Sequence, residues 1–238
     1  MLRQYHLKNY RVSLILWVTA LTMLGIMIIG SAQKTSQTRQ IIGFTLGMAL
    51  MLIFSLIDYT WLMSFYWLYY FGGCVLLVAV LLFGEEVNGA TRWIKIGIQF
   101  QPSDMMKILM IVFFAKLFDK YEDTLNTSRT ILFSLACLGI PLFLIFSEPD
   151  LSTTIVTALT YCAIIFVAGL SYKIIAAILM VTVPVFVILL SIILQPGQSL
   201  IQTYQLTRIL AWLKPEEYPQ EAAQQQNSII AIGSGKLY

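Results

Sequence analysis

One short connection between two apolar stretches carries most of the side chains that suit a ligand. It runs from Asn88 to Asp104 and contains Arg92, Trp93 and Lys95. The planar guanidinium of Arg92 suits a phosphate or a carboxylate, Trp93 offers a flat amphipathic ring, and Lys95 adds a second cation. These residue types predict a binding surface for an anionic, lipid-linked ligand. The alternative is a belt of aromatic and basic residues that anchors neighbouring helices among the lipid headgroups.

The end of this connection has the pattern of a helix start. Pro102 favours the first helical position, and Asp104 lies where the helix dipole favours a negative charge. Ser103 and Lys107 are four residues apart and share one face of the predicted helix, which Gln101 precedes. An ionisable residue such as Lys107 inside a membrane helix is expected to face the bundle or a wet cavity. The alternative is a Lys107–Asp104 ion pair that only locks the helix end.

A second connection, Ser147-Glu-Pro-Asp150, repeats this arrangement before another apolar stretch. Ser147 is predicted to cap that helix, Pro149 to occupy its first turn, and Asp150 to gain from the helix dipole. Capping alone would explain Asp150. The alternative is a mixed-charge binding site in which Glu148 and Asp150 join the cations of the first connection.

Seven apolar stretches must position these connections. Of the 238 residues, 58% are hydrophobic and 11% are charged, and the mean hydropathy is +0.80, far too apolar for a soluble domain. We therefore predict an all-α fold, a polytopic transmembrane helical bundle of about seven spans in a single membrane domain covering residues 1–238. The predicted spans cover residues 12–30, 41–57, 62–83, 105–118, 131–146, 151–170 and 174–194.

Consecutive spans alternate in direction, which assigns the polar connections to sides of the membrane. Three polar segments emerge opposite to the N-terminus, namely residues 85–104, 147–152 and 195–238. Arg3, Lys8 and Arg11 precede the first span and favour a cytoplasmic N-terminus. The three segments are then extracytoplasmic, and the last is predicted to begin a large extracytoplasmic loop that contains Arg208.

The rare residue types exclude several kinds of site. His6 is the single histidine and lies in a basic N-terminal segment, which argues against a histidine-based catalytic triad and a histidine-rich metal site. Cys74, Cys137 and Cys162 lie within apolar stretches without C-x-x-C spacing, which predicts packed thiols and neither zinc ligands nor disulfides. The net charge of +3 is spread over loops and forms no basic stripe, so no nucleic acid partner is expected.

Together these segments resemble the SEDS family (shape, elongation, division and sporulation), whose members include RodA, FtsW and SpoVE. The resemblance covers nearly the whole chain and rests on six strings in the same order as in the family. They are Ile57-Asp-Tyr59, Asn88-Gly-Ala-x-Arg-Trp-Ile94, Phe100-Gln-Pro-Ser-Asp-x-x-Lys107, Glu148-Pro-Asp-Leu-Ser-Thr153, Phe166-Val-Ala-Gly-Leu170, and Tyr204-Gln205 through Ala231-Ile-Gly-Ser-Gly235.

The resemblance implies a ten-span fold in the bacterial plasma membrane that polymerises lipid II into the glycan strands of peptidoglycan. It implies a class B penicillin-binding protein as partner, alongside membrane lipids. Such chemistry needs a carboxylate base, and cations or a metal ion that stabilise the departing diphosphate. No cofactor is assigned, and a divalent cation stays open.

The resemblance also implies that the catalytic aspartate belongs to a His-x-Asp-Phe-type motif beyond Tyr238, followed by three further spans. The catalytic residue of this chain is therefore unknown, with Asp150 as a substitute candidate, and we expect the chain alone to be inactive. Glu148 stands where many relatives carry Gln, Asp104 where many carry Glu, and Ser152 where many carry Gly. The residues expected to bind the substrate are Arg92, Trp93, Gln101, Ser103, Lys107, Glu148, Asp150 and Arg208.

Two other functions stay open from the sequence. One is a flippase or transporter of a lipid-linked precursor, and the other is a non-catalytic scaffold for a penicillin-binding protein. A transporter is expected to carry polar groups on both sides of the membrane and at its midplane. The polar clusters are predicted on one side, which favours surface chemistry. The resemblance does not decide between elongation, division and sporulation, although the short N-terminal tail favours a RodA-like member.

Overall fold

The computed structural model describes residues 11–87, 90–96, 98–195 and 203–234. The chain divides between Phe65 and Tyr66 into two compact units. The first unit contains helices α1 (Val12–Ala32), α2 (Lys34–Ser55) and α3 (Tyr59–Met63). The second contains α4 (Tyr66–Phe83), strands β1 (Glu85–Val87), β2 (Ala90–Ile96) and β3 (Ile98–Phe100), and helices α5 (Pro102–Lys120), α6 (Ser128–Ser147), α7 (Leu151–Val167), α8 (Tyr172–Ile193), α9 (Thr203–Leu213) and α10 (Pro219–Ser234).

The first unit consists of two long apolar helices and one short helix. Gln33 has an extended backbone, with φ −154° and ψ 107°, and it separates α1 from α2. Asp58 caps α3, because its side chain accepts a hydrogen bond from the Thr60 backbone N–H at 2.9 Å. Within α1 and α2, Ile26 is the single buried residue. Surfaces this apolar and this exposed are those of helices that face lipid.

The second unit has its core around α5, which packs against α4, α6 and α7. One face of α5 is buried, and its apolar members recur at helical spacing: Met106, Met110, Phe113, Phe114, Leu117 and Phe118. Phe113 stacks on Tyr70 of α4 with ring centroids 4.5 Å apart. Gly73 of α4 leaves the space that the Met106 side chain occupies, and a β-carbon there would collide with it. The two helices therefore approach closely at this level.

Two hydrogen bonds pair buried polar groups inside this core. The Tyr70 hydroxyl donates to the Cys137 carbonyl of α6 at 2.9 Å. The Ser134 hydroxyl of α6 and the Tyr161 hydroxyl of α7 are 2.8 Å apart. Such pairing removes the cost of placing polar groups away from water. The interior of the bundle is thus held by complementary neutral groups.

The connection from α4 to α5 forms a small three-stranded antiparallel sheet in the order β1-β2-β3. In its register Glu85 pairs with Trp93, and Ile94 pairs with Phe100. This sheet was not predicted, since the segment is short and its polar residues were interpreted as a binding surface. Its effect is to hold Arg92, on the central strand, close to the start of α5.

Each of the seven predicted spans overlaps a long helix, although the third, 62–83, also covers the end of α3 and the turn before α4. The all-α polytopic helical class is confirmed. Of the described helices, five are long and apolar enough to cross a membrane, namely α1, α2, α4, α6 and α8. Helix α7 is apolar but has only 17 residues, and α5 carries several charges. The protein is a multi-pass membrane protein, while the number of seven crossings and the single membrane domain stay predictions. Helices α9 and α10 lie within the segment predicted to begin an extracytoplasmic loop.

Candidate functional site

Asp150 begins α7 and is the centre of a cluster of hydrogen bonds. Its Oδ1 accepts from the Thr153 backbone N–H at 3.1 Å and from the Ser152 hydroxyl at 2.9 Å. Its Oδ2 accepts from the Thr153 hydroxyl at 2.9 Å. The carboxylate thus satisfies donors at the helix N-terminus, as an N-cap does. The prediction that Ser147 caps this helix is wrong, because the Ser147 hydroxyl donates back to the Phe143 carbonyl inside α6. Since Asp150 is the N-cap, Pro149 precedes the helix and does not lie in its first turn.

Two side chains from the α4–α5 connection also reach Asp150. The Gln101 amide donates to Asp150 Oδ2 at 3.1 Å, and to the Ser103 hydroxyl at 3.0 Å. An Arg92 guanidinium nitrogen lies 3.6 Å from the same oxygen, in an ion pair whose side chains are 18% and 2% exposed. Two of the three polar segments predicted on one side of the membrane therefore meet in space. The alternating direction of consecutive spans allows this contact but does not require it.

The charge state of Asp150 follows from these contacts. Burial acts to raise its pKa, but the hydrogen bonds from Thr153 and Ser152 and the charge of Arg92 outweigh burial and lower it. Asp150 is therefore an ionised carboxylate with its acceptor sites occupied. Such a group orients its neighbours well and is a poor general base.

Glu148 is the opposite case. It is completely buried, and neither of its carboxyl oxygens has a hydrogen-bond partner among the residues described. Burial and the nearby charge of Asp150 raise the pKa of Glu148 to about 8, although Arg92 acts to lower it. Glu148 is therefore mostly a neutral carboxylic acid at pH 7. The Nε of Arg92 is also buried and has no hydrogen-bond partner in the described structure.

The third polar segment contributes Gln205 of α9, which sequence analysis did not include among the binding residues. Its side-chain amide donates to the Pro149 carbonyl at 3.0 Å. The signal for it was present, since Tyr204-Gln205 was one of the strings that carry the family resemblance. Ser152 and Thr153 were also missed, and their signal was the hydroxyl-rich run that follows Asp150.

The remaining predicted residues lie around this cluster. Lys107 forms an ion pair with Asp104 at 2.7 Å, as in the alternative in which the pair locks the helix end. Ser103 is fully buried at the start of α5, and Trp93 is half-buried on β2. Arg208 is exposed on α9. The structure thus gathers Arg92, Gln101, Ser103, Glu148 and Asp150 and leaves the other three at the margin.

The cluster does not have the composition of a metal site. Among the described residues, no group of three or more histidine, cysteine, aspartate or glutamate side chains converges on one point. Divalent cations such as Mg²⁺ and Ca²⁺ take oxygen ligands, often carboxylates. Asp150 is already paired with Arg92, and Glu148 holds a proton. We therefore derive no step through a metal ion.

Comparison with known proteins gives a consistent result. A family model described as cell cycle protein, for FtsW, RodA and SpoVE, matches residues 3–238. A probable peptidoglycan glycosyltransferase FtsW from Idiomarina loihiensis is 32% identical over 166 residues, which are 68% of this chain and 38% of that protein. The family match covers almost the whole sequence, including every string on which the resemblance rests.

Two solved structures share the fold. The rod shape determining protein RodA of Thermus thermophilus matches with a TM-score of 0.63 and 25% identity, over 74% of this chain and 59% of that one. A chain in a peptidoglycan synthase complex that coordinates polymerization and crosslinking matches with a TM-score of 0.74 and 24% identity, over 91% and 63%. The present chain thus spans between 38% and 63% of the length of these proteins. The family match over residues 3–238 shows that the chain belongs to the FtsW, RodA and SpoVE family of cell cycle proteins.

Proposed function

We propose that this chain forms the substrate-binding membrane part of a peptidoglycan glycosyltransferase that polymerises lipid II. The observation that carries the proposal is the cluster of Arg92, Glu148 and Asp150, built from two connections at one end of the bundle. The name of the FtsW relative from Idiomarina loihiensis supports the reaction. Lipid II joins a sugar headgroup and a diphosphate to a long prenyl tail, so its binding site must lie where the bundle meets the membrane surface.

Different residues bind the charged and the uncharged parts of the substrate. The prenyl tail lies along exposed apolar helix faces, since burying apolar chain against them is favourable. Lys107 and Arg208 are the cations at the margin, and we assign the diphosphate to them. The Asp104 partner of Lys107 is 59% exposed and can give way to a phosphate, whereas the Asp150 partner of Arg92 is 2% exposed. Arg92 is already neutralised by Asp150, so it belongs to the part of the site that meets an uncharged group.

Asp150 has a positioning role in this proposal. Its carboxylate holds Arg92 and Gln101, and it starts α7 at the floor of the site. A general base must be free to take a proton from the attacking hydroxyl, within about 3 Å of it. The lowered pKa of Asp150 and its occupied oxygens argue against that role. Asp150 therefore orients the substrate pocket, and the reacting proton goes to another carboxylate.

The orientation and the partner are also part of the proposal. We place the N-terminus in the cytoplasm and the cluster at the extracytoplasmic face, where glycan strands are assembled. The family resemblance implies a class B penicillin-binding protein as partner, and a similar chain in a peptidoglycan synthase complex that coordinates polymerization and crosslinking supports a crosslinking partner. Polymerised strands would pass directly to that crosslinking enzyme.

Binding of lipid II tests the proposal. The full chain in lipid nanodiscs is expected to bind lipid II, and Asp150→Asn is expected to weaken binding about tenfold or more, because Arg92 and Gln101 lose the charge that orients them. Thr127→Ala, at the other end of the bundle, is the matched control and should leave the affinity unchanged. Binding no stronger than that of an ordinary phospholipid would contradict the proposal.

Two further assays separate the other functions. Transfer of fluorescent lipid II across proteoliposome membranes by this chain would favour the flippase. Capture of the penicillin-binding partner without any lipid II binding would favour the scaffold. Glycan product formed by the chain alone, and abolished by Asp150→Asn while lipid II binding is retained, would make Asp150 the base and overturn its positioning role.

A further inference from the structure

Three buried polar atoms near the start of α7 have no hydrogen-bond partner within the described structure. They are the Nε of Arg92 and the two carboxyl oxygens of Glu148. Glu148 is 0% exposed, so bulk water does not reach it. A buried polar group without a partner typically costs about 1–3 kcal/mol, and native proteins contain few of them. Three such atoms in one cluster indicate a partner that the described residues do not supply.

The charges of the cluster restrict what that partner is. The positive charge of Arg92 is offset by Asp150 at 3.6 Å, and protonated Glu148 adds none. The facing charged groups that act on Glu148 are Asp150 and Arg92. A phosphate brought into this dry, balanced cluster would be a buried charge without a counter-charge, which is costly. An uncharged polar group carries no such cost.

The donors and acceptors restrict the partner further. Arg92 Nε carries a hydrogen and only donates, whereas a carboxylic acid both donates and accepts. The complementary group must therefore offer an acceptor to Arg92, and both a donor and an acceptor to Glu148. A sugar hydroxyl meets this requirement, and so does the secondary amide of an N-acetyl group. Both are abundant in the headgroup of lipid II and absent from its diphosphate and tail.

We propose that Glu148 and Arg92 form a subsite for an uncharged hydroxyl or amide of a sugar. The inference rests on the proposed function, since it assigns the sugar of the lipid-linked substrate to a particular pair of residues. It also changes the role expected of Arg92, from a phosphate ligand to a donor for the sugar. A trapped water molecule would satisfy the same atoms, and the experiment must separate these two occupants.

Two lipid probes make the separation. Lipid II and undecaprenyl diphosphate share the tail and the diphosphate, but only lipid II carries the sugars. We expect Glu148→Leu, in the full chain in nanodiscs, to weaken lipid II binding about tenfold and to leave undecaprenyl diphosphate binding unchanged. Glu148→Gln keeps a donor and an acceptor without charge and is expected to retain lipid II affinity. Glu122→Leu, an exposed glutamate at the other end of the bundle, is the matched control.

A second variant keeps the test valid if Glu148→Leu fails to fold. Arg92→Lys preserves the charge opposite Asp150 and removes the Nε donor, so it is expected to show the same selective loss. An unchanged affinity for lipid II in both variants would identify the occupant as water and overturn the subsite. An equal loss for both lipids would also overturn it, since the diphosphate would then be the bound part. Binding of neither lipid by the unaltered chain would contradict the proposed function itself.

Discussion

The two ends of the bundle formed by α4 to α7 are built from the same kinds of connection but treat their polar groups differently. At one end, the buried Asp150 forms an ion pair with the partly exposed Arg92, and Glu148 lies beside them without a hydrogen-bond partner among the described residues. At the other end, Thr127 caps α6, and its hydroxyl lies 3.1 Å from that of Thr130. We call these the Asp150 end and the Thr127 end.

The Thr127 end is held by neutral groups at its surface. Asn126 accepts from the Ser171 backbone N–H at 2.7 Å and donates to the Gly169 carbonyl at 3.4 Å. This amide joins the α5–α6 turn to the α7–α8 turn without any buried charge. Short neutral side chains are therefore sufficient to cap helix ends in this fold. The buried charges at the Asp150 end therefore go beyond what capping requires, which argues for a binding role.

The largest expected effect concerns the location of the two ends on opposite sides of the membrane, because thiol labelling at each position should be either complete or absent. Ser152→Cys and Gln225→Cys should react with a membrane-impermeant thiol reagent added to intact cells, and Thr127→Cys should not. All three positions are exposed. The unaltered chain measures the background from Cys74, Cys137 and Cys162. Labelling of Thr127→Cys alone would mean that the orientation is inverted.

The next effect concerns stability. Asp150→Ala removes one partner of a buried ion pair together with an N-cap, and we expect it to lower the free energy of unfolding by roughly 3–5 kcal/mol. Thr127→Ala removes a cap alone and should cost about 1 kcal/mol. Unfolding in mixed detergent micelles, titrated with a denaturing detergent, measures both. Equal losses would show that the two ends differ only in appearance.

A pH dependence should belong to the Asp150 end only. Folding raises the pKa of Glu148 from 4.5 to about 8, so the folded state keeps a proton that the unfolded state loses. The resulting stability is complete below pH 4.5 and is lost as the pH rises through about 8, with a slope of at most about 1.4 kcal/mol per pH unit. Asp150, with its lowered pKa, acts in the other direction and at acid pH.

Thermal unfolding between pH 6 and pH 9 checks this expectation. The melting temperature of the unaltered chain should fall across this range, whereas that of Glu148→Gln should stay nearly level. Glu122→Gln, at the Thr127 end, should behave as the unaltered chain does. A steep fall that persists in Glu148→Gln would mean that another group holds the proton.

The smallest effect is expected from the ion pair of Lys107 and Asp104. Asp104 is 59% exposed, so solvent screens the pair and its contribution should be below about 1 kcal/mol. Lys107→Gln should therefore change the free energy of unfolding little, and added salt should reduce even that difference. A loss as large as that of Asp150→Ala would place Lys107 inside the buried cluster and not at its margin.

Sequence patterns located the long apolar helices, because stretches of that length and hydropathy require a membrane or a core. They did not predict α9 and α10, which form within the hydrophilic tail. They also predicted that α5 starts at Pro102, since proline is compatible with the first turn of a helix. They placed the cap of α7 on Ser147 when it is Asp150, because both residues are good caps and lie only three positions apart. A local pattern cannot distinguish such neighbours, whereas the packed turn does.

The site itself was only partly predictable. The alternating direction of consecutive spans placed the segments of the site on one side of the membrane. Gln101 and Asp150, however, are 49 residues apart in sequence, and their contact depends on how α5 packs against α7. The small sheet that holds Arg92 also depends on strand register, which no short motif specified. Glu148 lacks hydrogen-bond partners among the described residues because of how the interior packs around it. The residue type of Glu148 alone predicted an ionised carboxylate.

Helix α5 has a consequence for how this protein is made. It carries five charged residues, Asp104, Lys107, Lys116, Asp119 and Lys120, and each charge disfavours transfer of a segment from the translocon into lipid when it lies deep in the helix. The same helix has the most extensive buried apolar face in the core, part of it against α4. We therefore expect α5 to leave the translocon together with α4, as a helical hairpin whose contact at Gly73 and Met106 forms during insertion.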